Sequence, residues 1–452
     1  MIISRLFDKR KFNIIILFLL ATENKLKLSN YKPGLAYAKK QDELDELSSY
    51  RAQFHIPKDK DGNELIYLCG NSLGLQPKST KAYINQELED WANLGVEGHT
   101  DAKNPWLPYH EFLTEATAKL VGAKPIEVVT MNSLTANLHF MMASFYKPTK
   151  ERYKILIESD AFPSDKYAVE SQLRHHGYDD KEGLILWKPR EGEELLNYED
   201  LETILKAHGN EIALIMVGGV NYYTGQFFDF KRITDLGHSY GCKVGFDCAH
   251  GAGNVDLDLH NSGADFAVWC TYKYLNSGPG SLSGCFVHER HAYDKTLNRF
   301  TGWWSHNKDT RFNMRHEFDV LPGAEGWQLS NPPILSMAAI KASLDMFNEV
   351  GFDKILKKSK KLTGYFEFLL KTLGEDTIRI ITPEDPDERG CQLSIQVLNA
   401  DKSLHDKLTE AGVISDWREP DVIRCAPIPL YNSFEDVYLM VEKMKTILKS
   451  PS

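Results

Sequence analysis

The chain has 452 residues, 42% hydrophobic and 26% charged, without a low-complexity tract; this is the composition of a globular protein long enough for two or three cores. A net charge of -10 excludes the basic footprint of a nucleic-acid binder and leaves small molecules as the default partner. Seven cysteines (69, 242, 248, 270, 285, 391 and 425) form no CxxC pair, which excludes a disulfide framework and a zinc ribbon and predicts a reducing compartment, the cytoplasm.

The N-terminus places basic residues ahead of an apolar run from Phe12 to Ala21. That run is too short to span a bilayer, and it resembles the core of a signal peptide without a small-x-small cleavage site behind it. A secretory signal, an interfacial anchor and an extension outside the fold are the three readings of residues 1–30, and the cysteine pattern favours the extension. No other segment is expected to cross a membrane.

From Asn71 to Trp269 helical patterns alternate with short apolar runs. The strand candidates are "EVVTM", "KILIE", "LILW", "ALIMVGG", "KVGFD" and "DFAVWC", with "SLSGCFVH" as a further strand. "STKAYINQELEDWANL" and "LTANLHFMMASFY" carry apolar residues at helical spacing. In the second, Leu134, Leu138, Met141 and Phe145 share one face, which reads as core. Such alternation predicts an α/β fold whose mostly parallel sheet carries its site at the carboxyl ends of the strands. Beyond Pro333 a long helical stretch (334–375), the strands "IRIIT" and "CQLSIQVL" and a closing helix predict a smaller α+β domain. The expected division is a segment 31–75 that joins the small domain, a large domain 76–332 and a small domain 333–452.

No GxxxxGK[ST] loop and no HExxH helix occurs, and no metal is expected. "GPGSLSG" (278–284) has one residue too many for a dinucleotide fingerprint. The chemistry gathers elsewhere. Lys273 follows the apolar run "DFAVWC" and precedes a Gly/Pro/Ser loop, and a lysine just past a buried strand must be paired, solvated or used. Asp247 ends "KVGF". A lysine, a carboxylate and an upstream aromatic, each near a strand end, are what pyridoxal phosphate needs: an amine for the Schiff base, an anion for the pyridine nitrogen and a stacking face. "DAFPSDKYA" supplies Phe162 and Asp165, and "GFDCAHGAGN" supplies Asp247 and His250. Leu134 and Thr135 stand at a predicted helix start, where free N–H groups and a hydroxyl suit a phosphate. Each signal is weak alone, but four in order along one α/β stretch make a constellation.

The chain closely resembles the kynureninase family, fold-type-I pyridoxal-phosphate enzymes of the class V aminotransferase group. The resemblance covers residues 35–448 and rests on "YLCGNSLGLQPK", "FPSDKYA", "YYTGQ", "GFDCAHGAGN", "WCTYKYLNSGPG", "GWWSH", "LSNPPI" and "RCAPIPLYNSFEDV". It implies hydrolysis of L-kynurenine or its 3-hydroxy form to an anthranilate and L-alanine by a homodimer with shared sites. Lys273 would be the Schiff-base lysine and Tyr272 a phosphate ligand and proton donor. Leu134, Thr135, Phe162, Pro163, Ser164, Asp165, Asp247 and His250 would complete one subunit's share of the cofactor site, with Trp303 and Asn331 from the second subunit. Ser72, His99, Asn331 and Arg424 would face the substrate, Arg424 gripping its α-carboxylate. Gly218 is a departure, standing where many animal members have serine. The rivals are another enzyme of the fold, such as an aminotransferase or a cysteine desulfurase, and a non-catalytic relative. A desulfurase would need a nucleophilic cysteine on a loop before the small-domain sheet, where Cys391 reads instead as the start of a strand.

Overall fold

Apolar runs of four to seven residues bounded by polar turns become strands because they are too short to bury as helices. The computed structural model describes residues 31–314, 316–398 and 401–449; the apolar run at 12–21 lies outside them. Among the described residues no helix is long and apolar enough to cross a membrane.

The first strand, β1 (Ile66–Tyr67), belongs with the C-terminal part of the chain. The next seven are β2 (Val128–Met131), β3 (Lys154–Glu158), β4 (Leu184–Trp187), β5 (Ile212–Gly218), β6 (Lys243–Asp247), β7 (Phe266–Cys270) and β8 (Ser283–Val287). They form one sheet of order β2-β8-β7-β6-β5-β3-β4. All pairings from β4 through to β7 are parallel, and β8 pairs antiparallel with both β7 and β2. The expected α/β architecture with a mostly parallel central sheet is therefore what forms.

Burial explains why these strands read as continuous apolar runs. Leu156, Ile215, Val217, Ala267 and Trp269 point into one hydrophobic core, while Ile155, Ile157, Leu214, Met216, Phe266 and Val268 point into another on the opposite face. Alternate residues thus feed opposite cores, so neither register position can be polar. The helix Leu134–Phe145 covers the second face with Leu138, Met141 and Phe145 buried.

The stretch 334–375 is two helices rather than one, Ile334–Val350 and Phe352–Lys371. Gly351 breaks it with φ 84°, a conformation that a side-chain-bearing residue rarely adopts. The first helix packs Met337, Ile340, Leu344 and Phe347 into the core of the large sheet. The second carries the chain to a separate core, where Leu362, Tyr365 and Phe366 meet Leu393, Ile395 and Ile423. That core rests on a four-stranded antiparallel sheet of β9 (Ile378–Ile380), β10 (Leu393–Val397), β12 (Asp416–Arg418) and β13 (Val422–Cys425). Ala38, Ile66 and Leu68 of the N-terminal segment join it, and β1 pairs in parallel with β11 (Val413–Ile414).

Gly284 on β8 lies opposite Trp269 on β7. A Cβ there would stand 2.1 Å from the Trp269 indole, and Trp269 is 1% exposed. Gly284→Ala should therefore overpack the sheet and lower stability by about 1–3 kcal/mol. A urea midpoint that does not move would mean the indole can swing aside.

Candidate active site

Because β3, β5, β6 and β7 run parallel, their carboxyl ends meet at one edge. Glu158 ends β3, Gly218 ends β5, Asp247 ends β6, and Lys273 lies three residues past β7. Register aligns Gly218 with Asp247 and Asp247 with Val268. A cavity of about 210 Å³ opens there, lined by Leu134, Thr135, Phe162, Ser164, Asp165, Asp247, His250, Tyr272 and Lys273 among others. All nine carry expectations from the sequence. Glu158, Gly218, Val220, Tyr222 and Ala249 complete the wall.

The loop bearing Lys273 is held from outside. The Gly74 N–H donates to the Tyr272 carbonyl at 2.8 Å, and a Cβ on Gly74 would come within 2.3 Å of the Lys273 carbonyl. Only glycine allows that approach, which gives "GNSLGL" a structural role. Lys273 Nζ lies 2.9 Å from His250 Nε2 and 6.0 Å from the centre of the Phe162 ring. Burial, with Lys273 adding to it, pushes the His250 pKa well below the usual imidazole range. The ring is therefore neutral, and its Nε2 accepts from the lysine. His250 Nδ1 is buried without a partner.

Three carboxyl groups share this wall. Burial raises the pKa of Asp247, raises that of Asp165 well above the carboxylate range and pushes Glu158 up to about 7. Like charges this close cannot all ionise. Asp165 takes a proton and shares it with Asp247, whose Oδ1 also accepts the Ala249 N–H at 2.7 Å. Asp247 is thereby the carboxyl best supported as an anion.

At the opposite wall the helix Leu134–Phe145 begins without a side-chain cap, so its first N–H groups are free to bind an anion. Thr135 Oγ1 and Ser164 Oγ lie 3.0 Å apart beside it. Phe162 is 46% exposed and meets Tyr222 edge-on at 5.3 Å. Pro163 starts the helix Pro163–His175 and does not line the cavity.

The other expected residues stand apart. Arg424 on β13 is 1% exposed; it donates from Nη1 to the Tyr222 carbonyl at 2.6 Å and from Nη2 to Asp416, leaving Nε without a partner. It reaches the cavity through Tyr222. His99 packs edge-on against Trp106 at 5.5 Å, while Ser72 and Asn331 are exposed. Trp303 is 44% exposed and stacks edge-on with Phe312 at 5.3 Å. None of these five lines the cavity of the single chain. Glu158 and Tyr222 are the residues that sequence reasoning missed, although "KILIE" ends in a charge just as "KVGFD" does. Cys391 is 1% exposed and burial pushes its thiol pKa up, which makes it a poor nucleophile.

The kynureninase C-terminal domain family model matches residues 355–444. The chain is 58% identical over 415 residues to the kynureninase of Myxococcus xanthus strain DK1622, with 92% of this chain and 97% of the relative covered. It is 46% identical over 436 residues to that of Nematostella vectensis, covering 92% and 94%. Among solved structures the apo cysteine desulfurase of Thermococcus onnurineus NA1 superimposes with a TM-score of 0.71 at 17% identity, over 87% of this chain and 98% of that one. A C-DES mutant with glycine covalently linked to its PLP cofactor gives 0.72 at 15%, over 87% and 98%. At these identities the two structures speak for the fold alone.

Arg424 depends on Asp416 as its only carboxylate partner among the described residues. Asp416→Ala would leave the guanidinium buried and unpaired, a change that typically costs about 3–5 kcal/mol. Chemical denaturation should show that loss; an unchanged midpoint would mean that water or a rearranged neighbour replaces the carboxylate.

Proposed function

The chain belongs to the kynureninase family, and from that membership and the cavity we infer a pyridoxal-phosphate enzyme that hydrolyses L-kynurenine, or its 3-hydroxy form, to an anthranilate and L-alanine. The observation that carries this reading is the meeting of Lys273, Asp247 and Phe162 on one cavity wall. The residues present fit the cofactor: an amine beside a neutral imidazole, a buried anion, an open aromatic face, an uncapped helix start and two hydroxyls. The orphaned Nδ1 of His250 and Oε2 of Glu158 are polar atoms that a ligand would satisfy.

Pyridoxal phosphate, when bound, supplies an electron sink for the bond-breaking at the substrate's α-carbon. We assign the remaining work to this chain's own groups. Lys273 would hold the cofactor through Nζ, and the same amine, when free, would be the base for the substrate's Cα proton. Asp247 would keep the pyridine nitrogen protonated. The start of the helix Leu134–Phe145, Thr135, Ser164 and Tyr272 would hold the phosphate, and Phe162 would stack on the ring. Water adds to the γ-carbonyl, the Cβ–Cγ bond breaks, and the aryl half leaves as the acid. Tyr272, whose hydroxyl burial keeps protonated, relays a proton to the alanine fragment. Arg424, with Nε as its free donor, would receive the α-carboxylate, and Ser72 and His99, which stand outside the cavity of the single chain, would face the aryl ring as the family resemblance implies.

A homodimer completes the site in this reading, with Trp303 and Asn331 contributed across the interface. Supporting it, Phe300, Trp303, Phe312, Met314 and Phe318 expose between 44% and 74% of their surface within one short segment, an apolar display that suits burial against a second copy. We place the enzyme in the cytoplasm on its seven unpaired cysteines.

Borohydride reduction followed by peptide mapping should find the pyridoxyl label on Lys273. Lys273→Ala should lose it and retain less than about one ten-thousandth of the activity, since loss of a positioned base alone costs about a hundred- to ten-thousand-fold. A label on another lysine would overturn the assignment. Mixing inactive Lys273→Ala chains with Trp303→Ala chains should restore activity, because some mixed dimers contain one intact site. A mixture no more active than its parts, with subunit exchange verified by mass, would confine each site to one chain.

A further inference from the structure

Glu158 is the strongest unexplained group on the cavity wall. It ends β3 and is 2% exposed. Its Oε1 accepts the Gly218 N–H at 2.9 Å, which fixes the carboxyl group in place. A Cβ on residue 218 would lie 2.8 Å from that oxygen, so glycine at this position is what lets the carboxyl and the backbone meet undisturbed. The other oxygen, Oε2, is buried and has no partner among the described residues. An isolated buried carboxylate oxygen is costly, and a free acid O–H facing a ligand is not.

The surrounding charges decide which form the group takes. Asp160 and Asp247 supply negative charge around Glu158, Asp165 carries the proton it shares with Asp247, and Lys273 lies on the same wall, with His250 neutral and Tyr272 protonated. Asp247 is the carboxyl best kept ionised. Burial first, then Asp247 and Asp160, push Glu158 up to about 7, against the opposing pull of the Gly218 N–H. A neutral Glu158 is thus one more hydrogen-bond donor on the cavity wall.

We propose that Glu158 is a cofactor-positioning residue, anchored through Oε1 by the Gly218 N–H and donating from Oε2–H to an oxygen of the bound pyridoxal phosphate. The pyridine nitrogen is taken by Asp247, so the polar atoms left for an acid donor to meet are the cofactor's oxygens. This rests on the reading of the cavity as a pyridoxal-phosphate site. The sign of the pH dependence follows. Below about pH 7 the free protein carries the proton and affinity is full. Above that pH, binding must recover the proton before the bond can form, so the dissociation constant rises by up to about tenfold per pH unit until the pKa of the bound state is reached.

Glu158→Gln tests this, because an amide can accept from Gly218 and donate into the cavity at every pH. The readout is quenching of tryptophan fluorescence as pyridoxal phosphate is added to cofactor-free protein, from about pH 6 to about pH 9. The ratio of the wild-type dissociation constant to that of the Gln variant should be flat at low pH and climb above about pH 7. Glu158→Met, which removes the donor, should weaken binding about tenfold or more at the low end, the usual effect of losing a hydrogen bond to a charged acceptor. A ratio that stays constant across the range, with Lys273 still labelled by borohydride, overturns the role of Glu158 alone. Absence of label from Lys273 in the wild-type protein removes the cofactor reading and this inference together.

Discussion

The buried charge at the carboxyl edge of the parallel strands is the constraint on which the rest of the site depends. Parallel pairing sends β3, β5, β6 and β7 out at one edge, so Glu158, Asp247 and Lys273 converge whether or not their charges agree. In so desolvated a place three carboxyls and a lysine cannot all be ionised. The structure resolves this by sharing protons: Asp165 with Asp247, a raised Glu158, and a His250 too buried to charge beside Lys273. Ionised groups are thereby confined to the places where a cofactor would meet them.

The loop at 221–225 joins this edge to the small sheet. Tyr222 turns its ring onto Phe162, while its carbonyl accepts from Arg424 at 2.6 Å and from Gln392 at 3.1 Å. Thr382 Oγ1 donates to the Thr224 carbonyl at 2.6 Å. Cross-strand pairing sets Asp416 opposite Arg424, which holds the guanidinium where Tyr222 can reach it. Phe162 and the buried Arg424 are therefore coupled through one residue, so movement of the small sheet would be felt at Phe162.

The fold does not choose the reaction. Two cysteine desulfurase structures share this architecture over 98% of their length at 16–17% identity. In this chain Cys391 is buried, its N–H held by Asn254 at 2.9 Å, and cannot act as an exposed nucleophile. Chemistry resides in the groups placed at the strand ends.

The strand set was legible in the residues alone, because a strand buried on both faces must be apolar throughout, and "KILIE", "LILW" and "KVGFD" match β3, β4 and β6 end to end. Lys273, Asp247, Phe162 and Thr135 were likewise legible, each marked by a strand end or a helix start. The break at Gly351 was not, since one glycine leaves the helical period on either side intact and only the backbone angle reveals the stop. Glu158 escaped because a charge ending a strand has no partner in sequence; its meaning lies in Gly218, sixty residues away. The separation of Ser72, His99, Arg424, Trp303 and Asn331 from the cavity of one chain was equally invisible. Periodicity reports which way a side chain points within its own element, and only tertiary structure decides which elements share a wall.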